Sequence, residues 1–76
     1  MKLFTGDTIL LVSDGFPELN NKHNEMFGYK RAKNSFEEVA EKIPEEIISY
    51  LKSEGNRWTD NKEPDDDVTF VVIKVK

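Results

Sequence analysis

The sequence contains no cysteine and only one histidine among its 76 residues. The absence of cysteine excludes a disulfide framework, a thiol nucleophile and zinc sites built on sulfur. No apolar run is longer than four residues, so we expect no membrane segment. The stretch Met1–Phe4 is too short for a signal peptide, and we therefore expect a cytoplasmic protein.

Basic residues are also in the minority. The 15 acidic residues outnumber the 11 basic ones and give a net charge of −4, which argues against nucleic acid as a partner. Hydrophobic residues make up 37% of the chain and charged residues 34%, so the apolar core is small. A chain of this length is one small domain or part of a larger one.

Two apolar runs predict strands, one near each end of the chain. Thr8–Val12 follows the turn residues 5–7 and ends at Ser13–Gly15, which places the first main strand at about 7–13. Phe70–Ile73 lies within a second main strand at about 68–75. Because both runs are continuously apolar, we expect both faces of these strands to be buried.

The middle of the chain predicts two helices, at about 35–43 and 44–54. Ser35 and Glu38 have capping-box spacing, Pro44 suits the first position of a second helix, and Gly55 is a plausible end. A single kinked helix is the alternative. The expected fold is α+β, with both helices between two antiparallel strands. Since a two-stranded sheet has only edges, we interpret residues 1–76 as a single partial domain.

Acidic residues flank the two strands. Asp14 follows the first strand, and Asp65, Asp66 and Asp67 precede the second. If the strands are antiparallel neighbours, these carboxylates converge at one edge of the sheet, where they need a cation, shared protons or water. Hard oxygen ligands suit Mg²⁺, Mn²⁺ or Ca²⁺, although the spacing does not match an EF-hand loop. The alternative is that Asp14-Gly15 is only a turn and the triplet a solvated loop.

These pieces together resemble a known family. Leu3, followed by Gly6–Gly15, resembles a signature of the metal-dependent serine/threonine protein phosphatases, the protein phosphatase 2C-like group. Glu18 and Glu25, followed by Phe27-Gly28, resemble the bacterial SpoIIE branch, and Asp66–Thr69 resembles the closing motif of that branch. Order and spacing agree over essentially the whole chain.

The resemblance implies the C-terminal part of an α/β/β/α sandwich that binds two Mg²⁺ or Mn²⁺ ions. It implies that Asp14 and Asp66 are metal ligands and that Gly15 and Asp67 support them. Asp65 has no counterpart in the motif. No protein side chain is assigned as catalytic, because two metal ions can activate a water for attack on phosphorus.

The implied reaction is hydrolysis of phosphoserine or phosphothreonine on a regulatory protein, such as an antagonist of an anti-sigma factor. The family also uses an earlier Asp-Gly motif, which does not occur before Leu3. We therefore expect the parent domain to be a phosphatase and this chain alone to be inactive. A non-catalytic regulatory or protein-interaction module with a phosphatase-like fold is the alternative, and a purely structural fragment is a third.

Three further features have simpler interpretations. His23 lies among asparagine and lysine residues with no orienting partner in the sequence, so we interpret it as a solvated loop residue rather than a catalytic base. Trp58 is expected to cover the sheet rather than bind a partner. The basic cluster Lys30, Arg31 and Lys33 is interpreted as a solvated approach to the first helix rather than a dock for a phosphoprotein.

Overall fold

The fold is α+β, with three antiparallel strands and two helices. The computed structural model describes residues 1–60 and 68–75. Both helices lie between the second and third strands in the sequence, as predicted. None of the helices in the described part of the chain is long and apolar enough to cross a membrane. The elements are β1 (Lys2–Thr5), β2 (Thr8–Val12), α1 (Tyr29–Val39), α2 (Pro44–Thr59) and β3 (Phe70–Lys74).

β2 is the central strand of a sheet ordered β1-β2-β3. A two-residue turn joins β1 to β2 and places Thr5 opposite Thr8, with Gly6 at a φ of 55° that favours glycine. β2 and β3 are antiparallel, with Val12 opposite Phe70, which confirms the predicted pairing of the two main strands. β1 adds a third strand.

The two faces of the sheet differ in their burial. Leu10 and Val12 on β2 are buried with the helices in a common core. The opposite face, here called the outer face, is apolar yet solvent-exposed, with Phe4 61%, Leu11 38%, Val71 45% and Ile73 43% exposed. The expectation that β2 and β3 are covered on both faces is therefore met on one face only, within the described residues.

α1 begins six residues earlier than predicted. Its N-cap is Gly28, at a φ of 90°, and the amide of Ala32 donates to the Gly28 carbonyl at 3.1 Å. Ser35 lies inside the helix, so its interpretation as a capping residue is wrong. Ala32 and Phe36 are the buried residues of α1 and lie four positions apart, which is the spacing of one helix face.

α2 begins at Pro44, as predicted, and runs to Thr59. Its buried residues recur every four positions, and Gly55 is one of them. The interpretation of Gly55 as the helix end is wrong. A Cβ atom at Gly55 would lie 3.0 Å from Leu19 Cδ1, so this glycine allows close packing. The helix ends at Asp60, which has a left-handed backbone with a φ of 56°.

Candidate functional site

The end of β2 and the start of β3 are joined by hydrogen bonds. The Ser13 amide donates to the Thr69 carbonyl oxygen at 3.0 Å, and the Thr69 amide donates to Ser13 Oγ at 3.0 Å. Asp14 therefore directly follows Ser13, which is hydrogen-bonded to Thr69, the residue just before β3. This is the juxtaposition that antiparallel pairing predicts for the residues next to Asp14.

The Asp14 carboxylate is open to solvent. Its side chain is 69% exposed, and the Met1 ammonium lies 3.9 Å from Oδ1. That ammonium also donates to the Val12 carbonyl oxygen at 2.8 Å. Because an exposed ion pair at this distance contributes little, the carboxylate remains accessible to a cation from solution.

The other predicted ligand falls in the part of the chain that is not described. Asp65, Asp66 and Asp67 all lie outside the described residues, so the convergence of Asp14 with Asp66 and the supporting role of Asp67 remain predictions. Within residues 1–60 and 68–75, no group of three or more histidine, cysteine, aspartate or glutamate side chains is placed to hold a metal ion. The hard oxygens of Asp14 suit Mg²⁺ or Mn²⁺, but one carboxylate is a single ligand.

Residues 14–28, here called the site loop, connect Asp14 to α1. Gly15 is half-buried in the turn that follows Asp14, where the Glu18 amide donates to the Asp14 carbonyl oxygen at 3.2 Å. Farther along, the Phe27 amide donates to the Leu19 carbonyl oxygen at 2.7 Å. The loop is therefore folded back on itself by its own backbone, which satisfies polar groups that would otherwise be costly to bury.

The polar tip of the site loop is a local turn. Asn21 Oδ1 accepts hydrogen bonds from the His23 amide at 2.9 Å and the Glu25 amide at 3.0 Å. The His23 side chain is exposed, as expected for a solvated loop residue. The Asn21 side chain thus accepts the hydrogen bonds of two backbone amides at the tip, and these bonds hold the polar stretch in a turn.

Trp58 in the last turn of α2 packs on the site loop. Its indole Nε1–H is shared between the carbonyl oxygens of Leu19 and Glu25, each at 3.0 Å. Its ring meets Phe27 edge to face, with ring centroids 5.8 Å apart. Its indole hydrogen bonds and its aromatic contact with Phe27 are thus with the loop rather than the sheet, and sequence reasoning missed this role. The available signal was the lone indole donor, but its acceptors lie more than 30 residues away.

The basic cluster is part of α1 rather than an approach to it. Lys30, Arg31 and Lys33 are exposed on the helix, and the Arg31 guanidinium lies 4.3 Å from the centre of the Trp58 ring. Arg31, Arg57, Glu38 and Glu54 line a groove of about 370 Å³ between the two helices. Since both signs of charge line it, the groove is not a uniform anion site.

Tyr50 connects the two helices near this groove. Its hydroxyl lies 2.5 Å from Glu38 Oε2 on α1 and 2.8 Å from Glu54 Oε1 on α2, and its one hydrogen is shared between them. The hydrogen bonds to Glu38 and Glu54 raise the pKa of Tyr50 well above its ordinary value of 10.0, because they stabilise the protonated hydroxyl and would be lost on ionisation. This contact is structural, since it holds α1 against α2.

The comparison with known families agrees with the motifs. Over residues 1–76, the chain matches the family described as Stage II sporulation protein E (SpoIIE). No curated protein and no solved structure gives a significant match. The family match spans β2, the site loop that begins at Asp14 and the motif that precedes β3. The chain therefore belongs to the SpoIIE family.

Proposed function

We propose that this chain is the C-terminal segment of a metal-dependent protein serine/threonine phosphatase domain. In this proposal, the parent domain hydrolyses phosphoserine or phosphothreonine on a regulatory protein, such as an antagonist of an anti-sigma factor. Asp14 and Asp66 bind the metal, and Gly15 and Asp67 support them. Membership of the SpoIIE family supports the reaction class.

One observation carries the proposal of a metal site at this place. Asp14 presents an exposed carboxylate immediately after Ser13, which is hydrogen-bonded to Thr69. Only two residues of sequence separate Asp66 from Thr69. The pairing of Ser13 with Thr69 therefore supports a site that Asp14 and Asp66 share.

In this proposal, the two aspartates bind metal and the turn after Asp14 orients one of them. The Asp14 and Asp66 carboxylates would hold cations at the sheet edge, and the hydrogen-bonded turn after Asp14 fixes the backbone from which that side chain projects. Two bound Mg²⁺ or Mn²⁺ ions supply a Lewis acid and an activated water for in-line attack on phosphorus. Two carboxylates are too few ligands for two such ions, so we expect the isolated chain to be inactive.

The outer face of the sheet supports the proposal that the domain is partial. Its exposed apolar side chains lie side by side, because residues opposite each other on neighbouring strands share a face. In a folded domain such a surface is covered, since each apolar side chain removed from water contributes about 1.5–3 kcal/mol. The same surface also favours the second candidate function, a non-catalytic module that binds another protein. The apolar members of the outer face are the exposed Phe4, Leu11, Val71 and Ile73 and the half-buried Ile9.

A metal titration followed by residue-resolved NMR tests the site. We expect Mn²⁺ to broaden the signals of Asp14 and Asp66 selectively, and Mg²⁺ to shift them. Asp14→Asn should abolish both effects. The matched control is Asp7→Asn, because Asp7 is also an exposed acidic residue beside β2 but at its opposite end.

The outcomes separate the candidates. Diffuse changes over all acidic residues would indicate charge screening and would contradict the metal site. Metal-independent binding of a partner protein that survives Asp14→Asn would favour the interaction module. Metal-dependent turnover of a phosphorylated substrate by the purified chain would overturn the expectation that it is inactive alone.

A further inference from the structure

The Trp58 indole is a donor from α2 that contacts both arms of the site loop, the outgoing arm (residues 14–20) and the returning arm (residues 25–28). Leu19 lies on the outgoing arm and Glu25 on the returning arm, and their carbonyl oxygens are both 3.0 Å from Nε1. Asn20 and Met26, the residues that follow Leu19 and Glu25, form an isolated bridge between the arms. A single N–H from α2 therefore adds to the backbone hydrogen bonds that hold the two arms together.

Apolar packing places the indole for this contact. Gly55, one turn earlier in α2, allows the buried side chains of Leu19 and Phe16 to approach the helix backbone. The Phe16 ring in turn lies 5.1 Å from both Phe27 and Phe70, measured between ring centroids. The site loop is thus held between α2 and β3, and Trp58 supplies the directional part of that contact.

The closed loop is continuous with Asp14. The Leu19 amide donates to the Phe16 carbonyl oxygen at 3.2 Å, and the Glu18 amide donates to the Asp14 carbonyl oxygen at 3.2 Å. These two hydrogen-bonded turns link Leu19, whose carbonyl oxygen accepts the indole N–H, to the backbone of Asp14. These bonds connect α2 to the candidate metal ligand without any direct contact between Trp58 and Asp14.

We propose that Trp58 is a positioning residue, whose indole N–H holds the site loop in the closed conformation that presents Asp14 to a divalent cation. This inference rests on the proposed function for its metal-binding part and on the loop contacts for its conformational part. The two acceptor carbonyls also accept backbone hydrogen bonds, from Phe27 to Leu19 and from Asn21 to Glu25. Loss of the indole donor therefore loosens the closed loop and leaves its fold intact.

Hydrogen exchange of the full chain tests the conformational part. In Trp58→Phe, which keeps an aromatic ring and removes the donor, we expect the Asn21 and Phe27 amides to exchange about three- to tenfold faster, the effect of one hydrogen bond. Amides within β2 should be unchanged. Tyr50→Phe is the matched control, since it removes a hydroxyl from another α2 aromatic residue that contacts Glu38 and Glu54 instead of the loop.

A second replacement guards against a packing defect in Trp58→Phe. Trp58 is the only tryptophan, so incorporation of a benzothiophene analogue would replace the indole N–H with sulfur at this position alone. Faster exchange of the Asn21 and Phe27 amides in both replacements supports the role of the indole N–H in holding the site loop closed. Unchanged exchange of Asn21 and Phe27 in either folded replacement would overturn it.

Mg²⁺ tests the positioning part, which a purely structural tryptophan would leave unaffected. If the cation binds only the closed loop, saturating Mg²⁺ must slow exchange at Asn21 and Phe27 in the unmodified chain and in Trp58→Phe. Mg²⁺ that shifts Asp14 without slowing loop exchange would overturn the positioning role. If Mg²⁺ causes no shift of the Asp14 NMR signal, the proposed metal site and the positioning role are both wrong. The exchange rates measured without metal still test whether the indole N–H holds the site loop closed.

Discussion

The Lys74 ammonium lies 2.7 Å from the carbonyl oxygen of Ala40, the residue that caps the C-terminal end of α1. The same ammonium lies 3.0 Å from Thr8 Oγ1, which itself donates to the Ala40 carbonyl oxygen at 3.0 Å. Because the C-terminal end of a helix carries partial negative charge, a cation here is favourable. These three residues connect β2, β3 and α1 at the end of the sheet farthest from Asp14.

Lys74→Met should therefore destabilise the fold more than an ordinary surface substitution. It keeps most of the apolar length of the side chain and removes a charged donor from the helix end. We expect the free energy of unfolding to fall by about 1 kcal/mol, a value reduced by solvent screening of the exposed lysine. Urea denaturation measures this change. Lys52→Met on α2 is the control, and an equal loss in both variants would contradict the proposed role of Lys74.

Ser13→Ala tests the joint between β2 and β3. The Thr69 amide loses its side-chain acceptor, and because Thr69 is exposed, water can replace part of the lost bond. We expect a loss of about 0.5–1 kcal/mol in the free energy of unfolding. Ser53→Ala, on an exposed position of α2, should cause no loss because alanine favours the helix. Equal stability of the two variants would show that the Ser13 hydroxyl does not hold β3.

Gly55→Ala and Asn56→Ala form a matched pair within α2. The helix propensity of alanine exceeds that of glycine by about 1 kcal/mol, and it exceeds that of asparagine by less. At Gly55 the new Cβ would meet Leu19 Cδ1 at 3.0 Å and Phe16 Cε1 at 3.4 Å, whereas Asn56 is exposed. We therefore expect thermal unfolding to show a gain for Asn56→Ala and no gain, or a loss, for Gly55→Ala. A full gain at both positions would mean that the site loop does not pack closely on α2.

Tyr50→Phe should show a stability difference that depends on pH. At neutral pH, we expect the loss of hydrogen bonds to Glu38 and Glu54 to cost about 1 kcal/mol, since these carboxylates are partly solvated. The folded-state pKa of Tyr50 is raised above the unfolded value of 10.0, so its contribution is fully present below about pH 10. As the pH rises further, the unfolded state ionises first and the contribution is lost.

Urea denaturation between pH 7 and pH 11 measures this dependence. The gap between the unmodified chain and Tyr50→Phe should stay constant up to about pH 9 and narrow above pH 10. Tyr29→Phe, which removes a hydroxyl from an exposed ring, is the control for general alkaline effects. A gap that widens above pH 10 would contradict the raised pKa of Tyr50.

The sequence was a good guide to the two main strands, but it did not predict β1 and was a poorer guide to the helix ends. Continuous apolar runs located β2 and β3, because their local pattern is unambiguous. The capping-box spacing of Ser35 and Glu38 recurs wherever a helix has exposed polar positions, so it did not reveal that α1 begins after Gly28. Gly55 was misleading for another reason, because its small size serves a tertiary contact with Leu19 that no local pattern records.

The candidate site was predictable in its strands and not in its loop. Antiparallel pairing was enough to bring Ser13 next to Thr69, since register follows from the buried face of each strand. The role of Trp58 depends on carbonyl groups of the site loop, and every residue carries a carbonyl. The backbone acceptors at Leu19 and Glu25 therefore gave no signal of their own in the sequence.

The Met1 ammonium has a practical consequence for assays of cation affinity that use the isolated 76-residue chain. It donates to Val12 and lies 3.9 Å from Asp14 Oδ1, so it is a positive charge beside the candidate ligand. Acylation by even one preceding residue would turn it into a neutral amide that can still donate to Val12. A purification handle fused ahead of Met1 should thus strengthen apparent Mg²⁺ affinity, whereas one fused after Lys76 should leave the competing charge in place.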